Sequence, residues 1–376
     1  MRKNLFVRSI AAVSGIVMLA SLAACGDNIS SAGNNSGSTS TEKITGSFSG
    51  AGATSQQAAE EAWISAYMAA NSGANVTYNP TGSGAGVTTF LSGATAWAGS
   101  DKALSDDEVT QSSDKACANG TTAFDVPVYI SPIAIIFNLK GVSDAGKHIN
   151  LDADTAAKIF DGKIVKWNDP AIANQNKDLT LPDTQITVVH RSDKSGTTQN
   201  FVSYFKDQAP DSWTHELSEN WPDIPGQQSA KGTSGVVTAV KQADGTIGYA
   251  DFSQVGDLGT AAIKVGENYN EISADAGSKV IEDSEIDTSV KGDNRVVVKI
   301  NHATEAKGAY PIVLVSYDIA CPAYKDANTA KFVKSWFTYV TSDEGQKTAS
   351  SAAGSAPLPS NIVEKVTKSI EAIKTK

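Results

Sequence analysis

Cysteine and histidine are scarce in this sequence, which has 3 cysteines and 4 histidines among its 376 residues. The histidines do not share a metal-ligand spacing, and no GxxxxGKS/T phosphate loop, HExxH helix or GxSxG nucleophile elbow is present. These absences argue against a zinc enzyme, a nucleotide-hydrolysing enzyme and a serine hydrolase. We therefore expect no metal and no cofactor.

Basic residues are outnumbered, because 31 lysines and arginines accompany 41 aspartates and glutamates and the formal net charge is -10. Binding to the backbone of nucleic acids requires a basic surface, so we expect no nucleic-acid partner. The long-range field of such an acidic chain repels anions. A site for an anion would therefore need a local cluster of hydrogen-bond donors.

An apolar run over residues 10–24 follows three basic residues and is shorter than the about 20 residues of a membrane-spanning helix. This pattern predicts a secretion signal over residues 1–24. Residues 22–26, Leu-Ala-Ala-Cys-Gly, resemble the bacterial lipobox, so Cys25 is the expected site of lipid attachment to the membrane. An ordinary signal beside a chance cysteine is the alternative. Residues 25–45 are rich in Ser, Gly, Asn and Thr, which predicts a flexible tether.

The two remaining cysteines, Cys117 and Cys321, form an even pair in a chain predicted to be exported to an oxidising compartment. We predict a disulfide between them. Two unrelated buried thiols are the alternative, because one pair has no spacing pattern that would test the bridge.

Beyond the tether, short β-branched runs alternate with stretches of helical periodicity, which predicts an α/β architecture with mainly parallel sheets. The length of the chain exceeds what one hydrophobic core usually organises, so we expect two lobes. Residues 186–190 and 312–317 are predicted strands, and Ser105 followed by Glu108 predicts a helix start with a capping box. Further helices are predicted around Ala59, Trp63 and Tyr67, around Phe332, Trp336 and Val340, and around Ile362, Val366 and Ile370.

Three segments combine glycine, hydroxyl-bearing residues and an immediately following helix, namely residues 50–55, 81–87 and 191–198. Glycine lets the backbone approach a ligand, hydroxyl groups donate hydrogen bonds, and the first helical turn carries the positive end of the helix dipole. Each segment taken alone is better explained by helix capping. Convergence of the three would instead predict an anion site.

Two charged residues bear on this prediction. Arg191 directly follows a predicted strand, and its planar guanidinium suits two oxygens of a tetrahedral anion. An ion pair with Asp193 is the alternative role, and both roles are compatible. Asp101 suits an anion that keeps a proton, because a carboxylate accepts a hydrogen bond from such an anion and repels a fully ionised one. A helix cap or turn is the alternative for Asp101.

At these segments the sequence resembles the periplasmic phosphate-binding proteins of ABC importers, from about residue 45 to the C-terminus. The motifs that carry the resemblance are residues 50–54, 78–87, 99–106, 162–169 and above all 190–197, His-Arg-Ser-Asp-Lys-Ser-Gly-Thr. The resemblance implies a type II periplasmic-binding-protein fold, in which two α/β lobes are joined by two crossing hinge strands. Lobe I would comprise residues 46–127 and 311–376, and lobe II would comprise residues 128–310.

The resemblance also implies the ligand and its site. Inorganic phosphate would be held between the lobes, and the protein would deliver it to the permease of an ABC transporter as a monomeric lipoprotein outside the cytoplasmic membrane, without catalysis. The family often has an aromatic residue where Ser55 stands, but that position contributes its backbone amide, so we retain it. The implied ligand-binding residues are Thr54, Ser55, Ser83 and Asp101 from lobe I and Arg191, Ser195, Gly196 and Thr197 from lobe II, with Asp193 in support.

Three other functions remain open at this stage. The ligand could be sulfate, molybdate or another oxyanion. A secreted phosphatase is suggested by residues 152–155, Asp-Ala-Asp-Thr, but the preceding strand is weak and helix capping explains these residues better. A surface adhesin or signalling protein would also suit a lipid tether, and it would leave the three glycine- and hydroxyl-rich segments unexplained.

Overall fold

The computed structural model describes residues 43–375, so the predicted signal, Cys25 and the tether up to residue 42 lie outside the described part. The strands are β1 (Gly46–Gly52), β2 (Ala74–Asn79), β3 (Trp97–Ser100), β4 (Phe124–Asn138), β5 (Ile149–Leu151), β6 (Thr187–Arg191), β7 (Gln228–Ala230), β8 (Thr246–Asp251), β9 (Gly259–Val265), β10 (Asn268–Asn270), β11 (Glu285–Ile286), β12 (Val298–Lys299) and β13 (Val313–Ala320). The α-helices are α1 (Gln57–Ala70), α2 (Ser83–Leu91), α3 (Asp106–Lys115), α4 (Ala153–Phe160), α5 (Pro170–Ala173), α6 (Gly196–Gln208), α7 (Gly232–Gln242), α8 (Ala274–Glu282), α9 (Ala327–Val340), α10 (Asp343–Ala353) and α11 (Ser360–Glu371).

A sheet of 11 strands runs through these residues in the order β2-β1-β3-β13-β4-β8-β6-β7, and β9, paired with β5 and β10, lies beside β4. The strand pairs toward both ends of this order are parallel, whereas β13 and β4 are antiparallel to each other and to their neighbours β3 and β8. The predicted α/β architecture is therefore confirmed, but the sheet is mixed at its centre. The reason is that the chain leaves along β4 and returns along β13, so these two strands run in opposite directions.

The long strand β4 joins the two halves of the molecule. Its first part pairs with β13 as far as Pro132, and from Ile133 onward it pairs with β8. We call the half built on β1, β2, β3, β13 and the first part of β4 lobe I, and the half built on the rest of β4 and β5 to β10 lobe II. Pro127 lies opposite Tyr317 inside lobe I, so the change of partner follows the expected boundary at residue 127 by several residues.

The hydrophobic residues that predicted helices are core residues. Trp63, Tyr67, Phe332 and Trp336 are each at most 2% exposed, and the Tyr67 ring lies edge-on to the rings of both Phe332 and Trp336. Aromatic pairs in this geometry add to the stabilisation from buried apolar area. The predicted capping box at Ser105 is also present, with reciprocal hydrogen bonds to Glu108.

The predicted disulfide between Cys117 and Cys321 is confirmed and closes a loop with a sequence separation of 204 residues. It links the segment after α3 to the end of β13, so both of its ends lie in lobe I. Among the helices of residues 43–375, none has both the length and the apolar character needed to cross a membrane.

Candidate anion-binding site

The first glycine-rich segment connects β1 to α1. A β-carbon on Gly52 would lie 1.9 Å from the carbonyl oxygen of Gly99, so this close approach of β1 to β3 requires glycine. The amide of Ala53 donates to the same carbonyl oxygen at 2.9 Å. This packing places Thr54 and Ser55, both buried, at the beginning of α1.

The second segment connects β2 to α2. Gly82 has a φ of 101°, a conformation that favours glycine, and a β-carbon there would lie 2.5 Å from Oδ2 of Asp193 in lobe II. Ser83, the first residue of α2, is 1% exposed. Its hydroxyl accepts a hydrogen bond from the amide of Asp101 at 3.2 Å. The second segment therefore contacts both of the acidic residues predicted near the ligand.

The third segment connects β6 to α6 in lobe II. Ser195 caps α6, because its hydroxyl accepts a hydrogen bond from the amide of Thr198 at 3.2 Å. Gly196 packs against Asp101 of lobe I, where a β-carbon would lie 2.8 Å from the Asp101 carbonyl carbon. The hydroxyl of Thr197 donates to Oδ2 of Asp101 at 2.7 Å. All three segments thus converge, at the carboxyl ends of β1, β2 and β6, on the contact between the lobes.

Asp101 directly follows β3 and is 1% exposed. The hydroxyl of Ser55 lies 2.7 and 2.6 Å from its two carboxylate oxygens, and Thr197 and Ser316 donate to it at 2.7 and 2.9 Å. Burial raises the pKa of Asp101, and the three hydroxyl groups together with Arg191 offset part of that rise. The group is therefore an acceptor surrounded by hydroxyl donors.

Arg191 is the last residue of β6 and is 3% exposed. Its Nε donates to Oδ1 of Asp193 at 2.8 Å and its Nη2 donates to Oδ2, so the predicted ion pair is present. Oδ1 of Asp193 also accepts from the amide of Gly232 at 2.9 Å. Burial raises the pKa of Asp193, but Arg191 and the Gly232 amide hold it below its ordinary value. This ion pair holds the guanidinium in place through Nε and Nη2. Nη1 takes no part in the pair and can donate to another acceptor.

A fourth segment joins the site, and sequence reasoning missed it. Thr233 lies in the first turn of α7, and both its amide and its hydroxyl contact Oγ1 of Thr54, at 3.1 and 2.9 Å. The preceding Gly232 has a φ of 71° and lies next to the same threonine side chain. Residues 231–235, Lys-Gly-Thr-Ser-Gly, have the composition of the three predicted segments, so the same criterion would have found them.

Two further residues that sequence reasoning missed hold Asp101 from other sides. Ser316 reaches the carboxylate from the middle of β13, and the side-chain amide of Asn200 donates to the backbone carbonyl of Asp101 at 2.6 Å. Neither residue stands in a glycine-rich or charged motif. Only the three-dimensional arrangement identifies them.

The side chains of the site carry one cation, Arg191, against two acids, Asp193 and Asp101. Attraction for an anion must therefore come from fixed dipoles, and the first turns of α1, α2, α6 and α7 all meet here. Burial raises the pKa of nearby Asp251 to about 7 and that of Asp318 to about 8, so these acids add little negative charge below neutral pH. An oxyanion in this site would therefore be bound by neutral hydrogen-bond donors and one guanidinium group.

The alternative readings of the sequence find less support in this geometry. Asp152 caps α4, since its carboxylate accepts a hydrogen bond from the amide of Thr155 at 2.8 Å, which confirms the capping interpretation of residues 152–155. Over the part of the chain that the structure describes, no group of three or more His, Cys, Asp or Glu side chains is arranged to hold a metal ion.

Comparison with known proteins finds similar sequences over nearly the whole chain. Residues 37–344 match the model of the PBP superfamily domain. The phosphate-binding protein PstS2 of Mycobacterium bovis is 36% identical over 381 residues, which covers 98% of this chain and 99% of that protein. The phosphate-binding protein PstS3 of the same species is 33% identical over 361 residues, which covers 94% of this chain and 95% of the relative.

A solved structure shares the fold. The high affinity periplasmic phosphate-binding protein PfluDING, bound with phosphate, superposes with a TM-score of 0.70 at 23% identity. The superposition covers 86% of this chain and 93% of that one, so the two-lobed fold extends over nearly all of the described residues.

Proposed function

The chain belongs to the PstS-type phosphate-binding proteins of the PBP superfamily, and from this membership we propose that it binds inorganic phosphate between its lobes. The ligand contacts would come from Thr54, Ser55, Ser83, Asp101, Arg191, Ser195, Gly196 and Thr197. The amide and hydroxyl of Thr233 are a further candidate pair of donors, because they already meet Thr54.

The observation that carries the proposal is that Asp101 and Arg191 are both buried in the same donor-rich place, close enough for Arg191 to lower the pKa of Asp101. Phosphate near neutral pH has both a proton to donate and oxygens to accept, so it satisfies both side chains together. Sulfate and molybdate lack that proton and would place negative charge against the Asp101 carboxylate with no proton between them. The site is therefore expected to favour phosphate over the other oxyanions.

The described conformation is one in which the lobes touch across the site. Thr197 and Asn200 of lobe II contact Asp101 of lobe I, and Thr233 of lobe II contacts Thr54 of lobe I. We propose that phosphate is captured by closure about the two crossing segments, near residues 132–133 and 310–312. A ligand that contacts both lobes stabilises the closed state because it binds that state better.

The proposal also covers the delivery of phosphate and the location of the protein. The closed protein would present phosphate to the permease of an ABC transporter, from outside the cytoplasmic membrane and anchored there through Cys25, as a monomer. It would catalyse no reaction, since its site is built to surround an anion with fixed donors. These statements rest on the family and on the sequence of residues 1–45.

Isothermal titration of the purified protein with phosphate, arsenate and sulfate tests the proposal. We expect phosphate and arsenate to bind, because both keep a proton near neutral pH, and sulfate to bind far more weakly. Ser83→Ala should weaken phosphate binding, whereas Ser92→Ala, at the exposed end of the same helix, should not. Preference for sulfate, or sustained turnover of a chromogenic phosphate ester, would contradict the proposal.

A further inference from the structure

Ser316 occupies an irregular position in β13. Tyr129 of β4 lies opposite Ser316, whereas Pro127 lies opposite Tyr317, so Val128 is an extra residue on β4 and the register shifts there. Proline has no N–H group to donate to a neighbouring strand, and bulges of this kind redirect side chains near functional sites. The side chain of Ser316 is completely buried and points at Asp101.

The direction of the hydrogen bond from Ser316 is fixed by Gln56. The side-chain amide of Gln56 donates to Oγ of Ser316 at 2.9 Å and to the carbonyl oxygen of Tyr317 at 3.0 Å. Because a carbonyl oxygen only accepts, the NH2 group of Gln56 must face this side. The Oε1 atom of Gln56 accepts from the hydroxyl of Tyr78 at 3.0 Å on the other side. Ser316 therefore receives a hydrogen bond from Gln56 and passes its own hydrogen to Oδ1 of Asp101, at 2.9 Å.

Ser316 differs in one respect from the other hydroxyl groups around Asp101. Ser55 and Thr197 belong to the segments proposed to hold phosphate, so a bound anion competes for the hydroxyl of Thr197. Ser316 belongs to the return strand β13 and has Gln56 behind it. It remains a donor to Asp101 whether or not the other hydroxyls turn to the ligand.

We propose that Ser316 is a positioning residue for anion selectivity, which keeps the Asp101 carboxylate ionised and oriented so that only an anion with a proton to donate is accepted. This inference rests on the proposed function. Without the hydroxyl of Ser316, Asp101 would hold a proton more readily, and a protonated Asp101 can donate to a fully ionised anion. Loss of the hydroxyl should therefore admit sulfate.

Titration of Ser316→Ala with phosphate and sulfate between about pH 5 and 8.5 tests this role. Phosphate binding at the alkaline end should weaken, because Ser316 no longer holds the Asp101 carboxylate in the orientation that accepts the proton of the phosphate. Sulfate binding should appear at a pH about one unit higher than in the wild type. The groups around Asp101 that also titrate or carry charge, Arg191, Asp251, Asp318, Tyr78 and Tyr129, are unchanged in this variant.

Two further variants keep the test decisive. Ser316→Cys retains the size of the side chain with a weaker donor, so its shift in sulfate binding should lie between those of the wild type and alanine variants. Ser112→Ala removes another fully buried hydroxyl, on α3, which donates to the carbonyl of Val109 and accepts from the amide of Ala123 just before β4. It should leave selectivity and its pH dependence unchanged.

The outcomes separate the two proposals. If Ser316→Ala is folded and keeps the phosphate-to-sulfate preference of the wild type at every pH, the role of Ser316 is overturned while the proposed function stands. If the wild type itself does not bind phosphate, the proposed function is overturned and the role of Ser316 with it. A shift in sulfate binding in the serine variants, absent from Ser112→Ala, supports the inference.

Discussion

Nζ of Lys102, which follows Asp101 in lobe I, lies 3.8 Å from Oε2 of Glu219 in lobe II. Lys194 approaches the same carboxylate to 3.7 Å, and the backbone carbonyl of Glu219 accepts from the amide of Ser195 at 3.0 Å. Glu219 is 7% exposed, and burial raises its pKa although both lysines act to lower it. An ion pair that spans two lobes exists only while they touch, so it stabilises the closed state.

Glu219→Gln is therefore expected to speed phosphate release. Loss of a partly buried charge contact at a closing interface should increase the dissociation rate constant about fivefold, or about 1 kcal/mol, with little change in the association rate constant. Stopped-flow measurement of release checks this prediction. The matched control is Glu108→Gln, which removes a charge that lies 2.8 Å from the same lysine but within lobe I. Equal release rates in the two variants would argue against a role in closure.

Arg191 supplies the cationic group of the site, and Arg191→Ala should weaken phosphate binding by about 3 kcal/mol or more, since truncating a buried charged partner has costs of this size. Part of this loss comes from Asp193, which would be left buried without the guanidinium. The double variant Arg191→Ala with Asp193→Asn separates the two effects, because it removes the unpaired carboxylate. Near-native affinity of Arg191→Ala in calorimetry would contradict the site assignment.

Asp101 is expected to determine the choice between phosphate and sulfate. Asp101→Asn replaces a repelling acceptor with an amide that can donate, so the ratio of phosphate to sulfate affinity should fall at least about tenfold. Competition titrations with both anions measure this ratio. Asp193→Asn is the matched control, since it removes an acid that faces Arg191 and should weaken the two anions alike. An unchanged ratio in Asp101→Asn would exclude the proposed role.

The local parts of this site could be predicted from the sequence, because they depend on neighbouring residues. A glycine where two backbone segments pack closely, and a hydroxyl-bearing residue at the beginning of a helix, can each be recognised from the few residues around them. Gly52, Gly82 and Ser195 are examples. The strands and helices with clear apolar periodicity were predictable for the same reason.

The remaining parts depend on residues far apart in the chain. Ser316 meets Asp101 across a sequence separation of 215, and Thr233 meets Thr54 across 179. Glu60 and Asp318 are both fully buried, and each contacts a residue far along the chain, Trp97 and Gln56 respectively. The mixed sheet likewise follows from the return of β13 beside β4, which no local pattern specifies.

The buried acid Asp318 should make the protein less stable as the pH rises. Burial raises its pKa to about 8, above the about 3.9 of an unfolded aspartate, so the folded state binds an extra proton between these values. The free energy of unfolding should therefore fall with rising pH, by up to about 1.4 kcal/mol per unit from this group. Burial lowers the pKa of His302, and this makes the free energy of unfolding rise with pH in the acidic range, opposite to the effect of Asp318. A variant of Asp318 is therefore needed to isolate the contribution of Asp318.

Asp318→Asn supplies that comparison, because asparagine resembles the neutral acid in shape and cannot ionise. Its free energy of unfolding should decrease less between about pH 5.5 and 8.5 than that of the wild type, so the difference between the two proteins should grow with pH and be largest at the alkaline end. Urea unfolding without phosphate gives both curves. The control is Asp287→Asn. Asp287 is a partly exposed acid, and hydrogen bonds from Ser289 lower its pKa, so this variant should show the pH slope of the wild type over this range. Parallel curves for Asp318→Asn and the wild type would mean that Asp318 is ionised in the folded protein, and its negative charge would then have to be counted among those facing the bound anion.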